Sequence, residues 1–135
     1  MLQNYYNGVA MIKFKHKGDF SKTTNFLQRN RVDKIRKALE SYGRLGVEAL
    51  KNATPKDTGK TADSWEYHVN VTDRVAEIYW TNTNTNQGVP IAVVIQYGHA
   101  MPNGGYVQGI DYINPAMKPI FNEIREKVWK EVVDK

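Results

Sequence analysis

Apolar and polar positions alternate along two stretches of the chain and recur at helical spacing along two others. Ile12, Phe14 and His16 interleave with Lys13, Lys15 and Lys17, the period of two of a half-buried strand whose outer side carries the lysines. Lysines on an open strand edge also discourage unwanted pairing. Trp65, Tyr67, Val69 and Val71 alternate with Ser64, Glu66, His68 and Asn70, Thr72-Asp73-Arg74 turns the chain, and Ala76, Ile78 and Trp80 alternate with Val75, Glu77, Tyr79 and Thr81. This pattern predicts a β-hairpin whose inward face brings Trp65 and Trp80 into one core.

The helical spacings are equally plain. Val32, Ile35, Leu39, Tyr42, Gly46 and Leu50 recur every three or four residues, with Asp33, Lys37, Glu40, Arg44, Glu48 and Lys51 on the far side. We read a long amphipathic helix capped by Asn30 and stopped by Asn52 and Pro55. Gly43 and Gly46 each cost about 1 kcal/mol relative to Ala, so a sheet or a neighbouring subunit is expected to pack closely there. A final helix is expected from a cap at Asn114, with Pro115 at its first position and Met117, Ile120, Phe121, Ile124, Val128 and Val132 in one stripe that Trp129 widens.

The remaining segments are shorter. Ser21 to Arg29 reads as a short helix capped by Ser21 and anchored by Phe26 and Leu27. In Val89 to Gly98 the β-branched content favours a strand, while Pro90 near the start and Gly98 at the end favour a short helix, the reading adopted. Thr81 to Gly88 is a polar loop, and His99 to Asp111, with Pro102, Gly104, Gly105 and Gly109, reads as a long, exposed and partly mobile loop. Together these predict an α+β fold: a small antiparallel β-sheet with two long amphipathic helices packed on one face, plus short helices and a long glycine-rich loop. Residues 1–10 show neither a basic nor an apolar signal region and are expected to be a mobile extension ahead of a single domain at 11–135.

Composition narrows the function classes. A chain of 135 residues suits one core and leaves no room for a separate cofactor domain. Without Cys there is no disulfide framework, thiolate metal site or thiol nucleophile. The longest apolar run, Val89 to Ile95, contains Pro90 and falls far short of the roughly 20 residues that span a bilayer. The net charge of +5 is unevenly placed: residues 1–60 carry 13 basic and 5 acidic side chains, net +8, and residues 61–135 carry 6 and 9, net −3. Such a dipolar chain suits assembly of like subunits, acidic half to basic half. Its basic half and the eight tyrosines of the whole chain also support the alternative of a small basic nucleic-acid-binding module, with phosphate contacts and stacking platforms. Against that, the basic helix face includes Asp33, Glu40 and Glu48.

The motifs point away from catalysis. Thr58-Gly59-Lys60-Thr61 ends like a phosphate-binding loop, but Thr54 stands where that loop needs Gly and an amphipathic helix precedes it where a buried strand is required. His16, His68 and His99 lie on different elements without partners at metal-ligand spacing. Asp57, Asp63 and Asp111 have no evident partner in an apolar pocket, and Ser41 and Ser64 lack a glycine elbow. We expect no enzyme activity, no cofactor and no metal.

The segment Ala53-Thr54-Pro55-Lys56-Asp57-Thr58-Gly59-Lys60-Thr61-Ala62-Asp63-Ser64-Trp65 resembles the "A-P-x-D-T-G-x-L-x-x-S" hallmark of the tail-completion, or head-to-tail joining, proteins of tailed phages. There too a long helix leads through this segment into a β-hairpin. Ile95-Gln96-Tyr97-Gly98-His99 resembles that family's "Y-x-x-x-x-E-[YF]-G-T" segment, and Tyr112-Ile113-Asn114-Pro115-Ala116-Met117 its "R-P-F-L-x-P-A" entry to the last helix. The resemblance covers about residues 11–133. Thr61 for Leu, Gln96 for an acidic residue, His99 for Thr and a longer glycine loop at 100–110 resemble a subgroup common in phages and prophages of Gram-positive bacteria.

The resemblance implies a minor structural protein of the virion neck, made in the host cytoplasm. It implies a homo-oligomeric ring, commonly hexameric, that ends the tail tube like a tail terminator. That ring joins the tube to the head connector or stopper protein, while DNA passes through the lumen without sequence recognition. It carries over as structural motif residues Pro55, Asp57, Thr58, Gly59, Ser64, Tyr97, Gly98, Asn114 and Pro115. The loops 81–89 and 99–111 are the candidate assembly surfaces, with Asn82, Asn84, Gln87, His99, Asn103, Tyr106 and Gln108 as candidate contacts.

Overall fold

The computed structural model describes residues 2–3, 12–17, 25–56 and 59–129. Over these described residues it is a mixed α+β fold with antiparallel sheets and three helices. In chain order the elements are β1 (Leu2–Gln3), β2 (Ile12–Lys17), α1 (Asn25–Ala53), a 3-10 turn (Ala62–Ser64), β3 (Trp65–Val71), β4 (Val75–Asn82), β5 (Thr85–Asn86), β6 (Val89–Pro90), α2 (Ile91–Tyr97), β7 (Gly98–Ala100), β8 (Tyr106–Gln108) and α3 (Ile113–Ile124). A single π turn, Arg125–Trp129, extends α3. Of the expected extension at 1–10, Leu2–Gln3 pair with β2, and the rest lies outside the described residues.

The main sheet has the order β1-β2-β4-β3. Ile12 pairs with Trp80, Phe14 with Ile78 and His16 with Ala76, and across β4 Tyr67 pairs with Trp80 and Val69 with Ile78. These rows put Ile12, Phe14, Ala76, Ile78 and Trp80 on one buried face. The hairpin closes on Thr72, whose hydroxyl accepts from the N–H groups of Arg74 and Val75. The lysines of β2 do not guard an open edge, because β2 lies between β1 and β4. Lys13 and Lys15 instead reach Glu77 on the neighbouring strand, at 3.6 and 3.9 Å.

Helix α1 starts at Asn25, so Asn30 is an interior residue and the separate short helix expected at 21–29 is absorbed into α1 from Asn25 onward. Ser21 lies outside the described residues. A capping residue is a weak stop, since Asn inside a helix costs less than about 0.7 kcal/mol. The close approach foreseen at Gly43 and Gly46 comes from the sheet. A Cβ on Gly43 would lie 2.2 Å from the Tyr67 ring, and one on Gly46 would lie 2.5 Å from the Trp80 indole nitrogen. Trp80 Nε1 donates to the Gly43 carbonyl at 3.1 Å.

Helix α3 closes the core from the other end of the sheet face. Phe121 stacks on Phe14 at 4.7 Å and meets Trp80 at 6.0 Å, while Trp129 stacks on Phe14 and on His16. Burial holds the His16 imidazole below its usual pKa. The helix begins at Ile113, after Tyr112, so Asn114 is not its cap and Pro115 falls third. Proline is tolerated there because the first four N–H groups of a helix have no intrahelical partner. Val132 lies outside the described residues.

On an exposed helix surface Gly→Ala stabilises by about 1 kcal/mol. At Gly46 the sign reverses: Gly46→Ala is expected to lower the unfolding free energy in urea by about 1–3 kcal/mol through overpacking against Trp80. Leu45→Ala, on the solvent side of the same turn, stays within about 0.5 kcal/mol of the wild type. Equal stability of Gly46→Ala and wild type would show that the indole is not seated on α1.

Candidate functional site

The three motif segments converge on internal hydrogen bonds. In the first, α1 ends with the Thr54 hydroxyl donating to the Leu50 carbonyl and accepting from Trp65 Nε1 at 2.9 Å. Gly59 has a φ of 83°, a left-handed conformation that favours glycine. The Ser64 hydroxyl donates back to the Lys60 carbonyl at 2.6 Å. Asp57 and Thr58 lie outside the described residues. Thr61, the residue at the magnesium position of the rejected phosphate loop, has its carbonyl bonded by Asn82 Nδ2 at 2.8 Å and its hydroxyl by Asn84 Nδ2 at 2.9 Å.

Asn82 and Asn84, expected among the exposed assembly contacts, are buried within the subunit. They are 4% and 8% exposed, and their amides pin the motif turn to the end of β4. Asn82 continues the inward period of Ala76, Ile78 and Trp80, a signal in the sequence that the polar character of the run conceals. Beyond them the polar loop is a tight hairpin of β5 and β6, with Gln87 and Gly88 at φ 53° and 81°. Both angles are positive, as a two-residue type I′ turn requires.

The second and third segments meet at Gln96. Its side-chain carbonyl accepts from the N–H groups of Tyr112 and Ile113, at 3.0 and 2.9 Å. Its amide donates to Asp111 at 2.7 Å, and Asp111 also accepts from Asn114 Nδ2. The cap of α3 thus comes from α2, and Asn114 serves at one remove. Tyr112 donates its phenol to the Ala92 carbonyl at 2.8 Å. Burial pushes that phenol well above its usual pKa, with hydrogen bonding from Thr54 working in the opposite direction. The phenol stays a neutral donor that ties Tyr112, just ahead of α3, to the α2 backbone.

The glycine-rich stretch, expected as a long exposed loop, is exposed and is folded into a two-stranded ribbon. Gly98 pairs with Gln108, His99 with Val107 and Ala100 with Tyr106. Gly98, at φ 80°, ends α2 and faces β8 so closely that a Cβ would sit 2.3 Å from the Val107 carbonyl. Tyr106 donates its hydroxyl to the Tyr97 carbonyl at 2.8 Å, and Asn103 accepts from Gly105 N–H in the tip. His99, Asn103, Tyr106 and Gln108 are exposed on this ribbon, as is Gln87 on the β5–β6 turn.

The ribbon belongs to an unusual stretch. From Ile78 to Ile110 the chain has no Asp, Glu, Lys or Arg, although such residues make up 24% of the whole. Apart from Leu45, every described large apolar residue left exposed falls within it: Val89, Tyr97, Met101, Tyr106, Val107 and Ile110. Tyr106 is 63% and Ile110 54% exposed. Exposed apolar groups without charges are the composition of an interface core. The three histidines stay apart, His16 on Trp129, His68 on Tyr79 and His99 on the ribbon. Among the described residues no group of three His, Asp or Glu is placed to hold a metal.

No protein-family model, curated protein or solved structure matches this chain.

Gln96→Leu removes the acceptor of two buried N–H groups and is expected to cost about 1–3 kcal/mol. Gln96→Glu keeps the acceptors but sets a carboxylate against Asp111, which raises a folded-state carboxyl pKa above its unfolded value of about 4. The folded state then binds more protons than the unfolded one, so stability falls as pH rises. Thermal melts should show Gln96→Glu close to wild type below about pH 4 and increasingly weaker toward neutrality. A difference independent of pH would contradict the Gln96–Asp111 contact.

Proposed function

We propose that this chain is a non-enzymatic structural subunit of the tailed-phage neck. In this reading copies form a ring, hexameric by family resemblance, that completes the tail tube and joins it to the head connector or stopper protein. DNA passes through the lumen without sequence recognition. The subunit is an α+β scaffold in which two long amphipathic helices, α1 and α3, back one face of the main sheet and the glycine-rich segment projects as an assembly surface.

One observation carries the reading. The stretch Ile78–Ile110 is free of charge and exposes apolar side chains on and beside the β7–β8 ribbon, while Thr61, Ser64 and Gln96 of the motif segments are spent on internal hydrogen bonds. Such a chain offers a surface for docking, and its motifs serve shape. The basic half that suggested nucleic-acid binding is partly neutralised within the subunit: Lys13 and Lys15 meet Glu77, and Arg36 meets Asp33 at 2.9 Å. No helix among the described residues is long and apolar enough to cross a membrane, which suits a virion component.

The test is electron microscopy of the purified protein mixed with tail tubes. Rings capping the tube ends are expected, and bare ends at saturating protein would reject the proposal.

A further inference from the structure

We infer that copies of this chain join head to tail by strand addition, the β8 edge of one copy pairing with the β3 edge of the next. The inference deepens the ring reading and rests on it for closure, but its contact is tested on the purified chain alone.

Strand β3 ends the main sheet, so one of its sides has no strand beside it among the described residues. Thr83 N–H bonds the Ser64 carbonyl and Thr72 N–H bonds the Val75 carbonyl. In an antiparallel pair bonded and non-bonded residues alternate, so the even-numbered residues of β3 face β4. The N–H and C=O groups of Tyr67 and Val69 therefore point away from the sheet. At Val71 the outward carbonyl is already taken by Arg36 at 3.1 Å, which closes that end of the edge. Alongside runs a groove between Arg44, Val47 and Glu48 of α1 and residues 65–68 of β3.

The ribbon carries the counterpart. Met101 N–H bonds the Gly105 carbonyl, which fixes the alternation in β7 and β8. By the same rule Tyr106 and Gln108 direct their backbone groups away from β7. Each edge thus offers an i, i+2 pair of free donors and acceptors. Antiparallel addition opposes Tyr67 to Gln108 and Val69 to Tyr106, each pair exchanging both of its bonds.

The occupant is a second copy because one chain presents both members of the pair, two unlike edges whose outward residues match at i and i+2. Every copy carries +5, and β8 is the edge that brings no charge of its own to the contact. An open, apolar strand edge is otherwise a liability that folds cover or charge. A contact between two different edges is heterologous, leaves each joined copy with one edge still open, and closes only as a ring.

Sedimentation of the purified chain, with two proline variants, tests this. Proline on an edge strand removes an outward N–H and spares the inner ladder. Val69→Pro should disable the β3 edge and Gln108→Pro the β8 edge, each by loss of one outward N–H. Wild type is expected to associate beyond a dimer as concentration rises, each variant alone to remain monomeric, and an equimolar mixture of the two to stop at a one-to-one dimer. Wild type that stays monomeric up to about 1 mM, a variant that assembles like wild type, or a mixture that grows past a dimer would overturn the inference.

Hydrogen exchange on the wild type needs no substitution and covers the case of an unfolded variant. Amides of Tyr67, Val69, Tyr106 and Gln108 should slow about tenfold or more between dilute and concentrated protein, while His68 and Val107 stay protected in both. Unchanged exchange at the outward amides would overturn the inference. Capping of tail tubes is a separate measurement, so loss of the self-contact leaves the neck proposal standing and bare tubes leave the self-contact standing.

Discussion

Trp80 lies where β4 crosses α1, and the packing of the remaining elements depends on how closely it sits. Two glycines one turn apart remove the side chains that would hold the helix away, and the indole nitrogen donates into a helix carbonyl. The close approach fixes the rotation of α1 over the sheet, because only that face of the helix admits the Tyr67 and Trp80 rings. It also positions Phe121, and through it Phe14 and Trp129, in one aromatic cluster. The backbone entropy that glycine costs in a helix is offset by the burial of a full indole.

Around this core, polar side chains do the work of joining segments far apart in sequence. Asn82 and Asn84 hold the turn after α1, Gln96 caps α3 from α2, and the Tyr112 phenol reaches the α2 backbone. All are buried, and among the described residues no buried side-chain polar atom lacks a partner. A buried amide with both ends satisfied costs little to bury and much to lose, so each enforces one relative placement of two elements. The residues most reminiscent of a catalytic or phosphate site, Thr61 and Ser64, are thereby committed to the fold.

The surface follows the same division. Charged residues flank a central stretch without any, and there the chain exposes tyrosines, aliphatic groups and strand edges instead of lysines and carboxylates. In the proposed ring, a subunit that desolvates such a surface against a neighbour avoids the cost of burying unpaired charge.

The period of two in the hairpin, the three-and-four spacing of α1 and the helix between Pro90 and Gly98 were legible in the sequence, because each follows from local side-chain direction and local backbone limits. The glycines of α1 even announced a close neighbour, though not its identity. What the sequence left open was settled by contacts between distant residues. The start of α1 ran past Asn30, since a cap competes poorly with continued helical hydrogen bonds. The cap of α3 moved from Asn114 to Gln96, sixteen residues before the Tyr112 N–H it serves. Asn82 and Asn84 looked like loop residues until Thr61 was seen to need their amides, and the glycine-rich stretch became a ribbon because Gly98 lets two backbones touch. Local periodicity determines which elements form; which polar group satisfies which backbone, and which edges remain open for a partner, is decided only when the elements are packed.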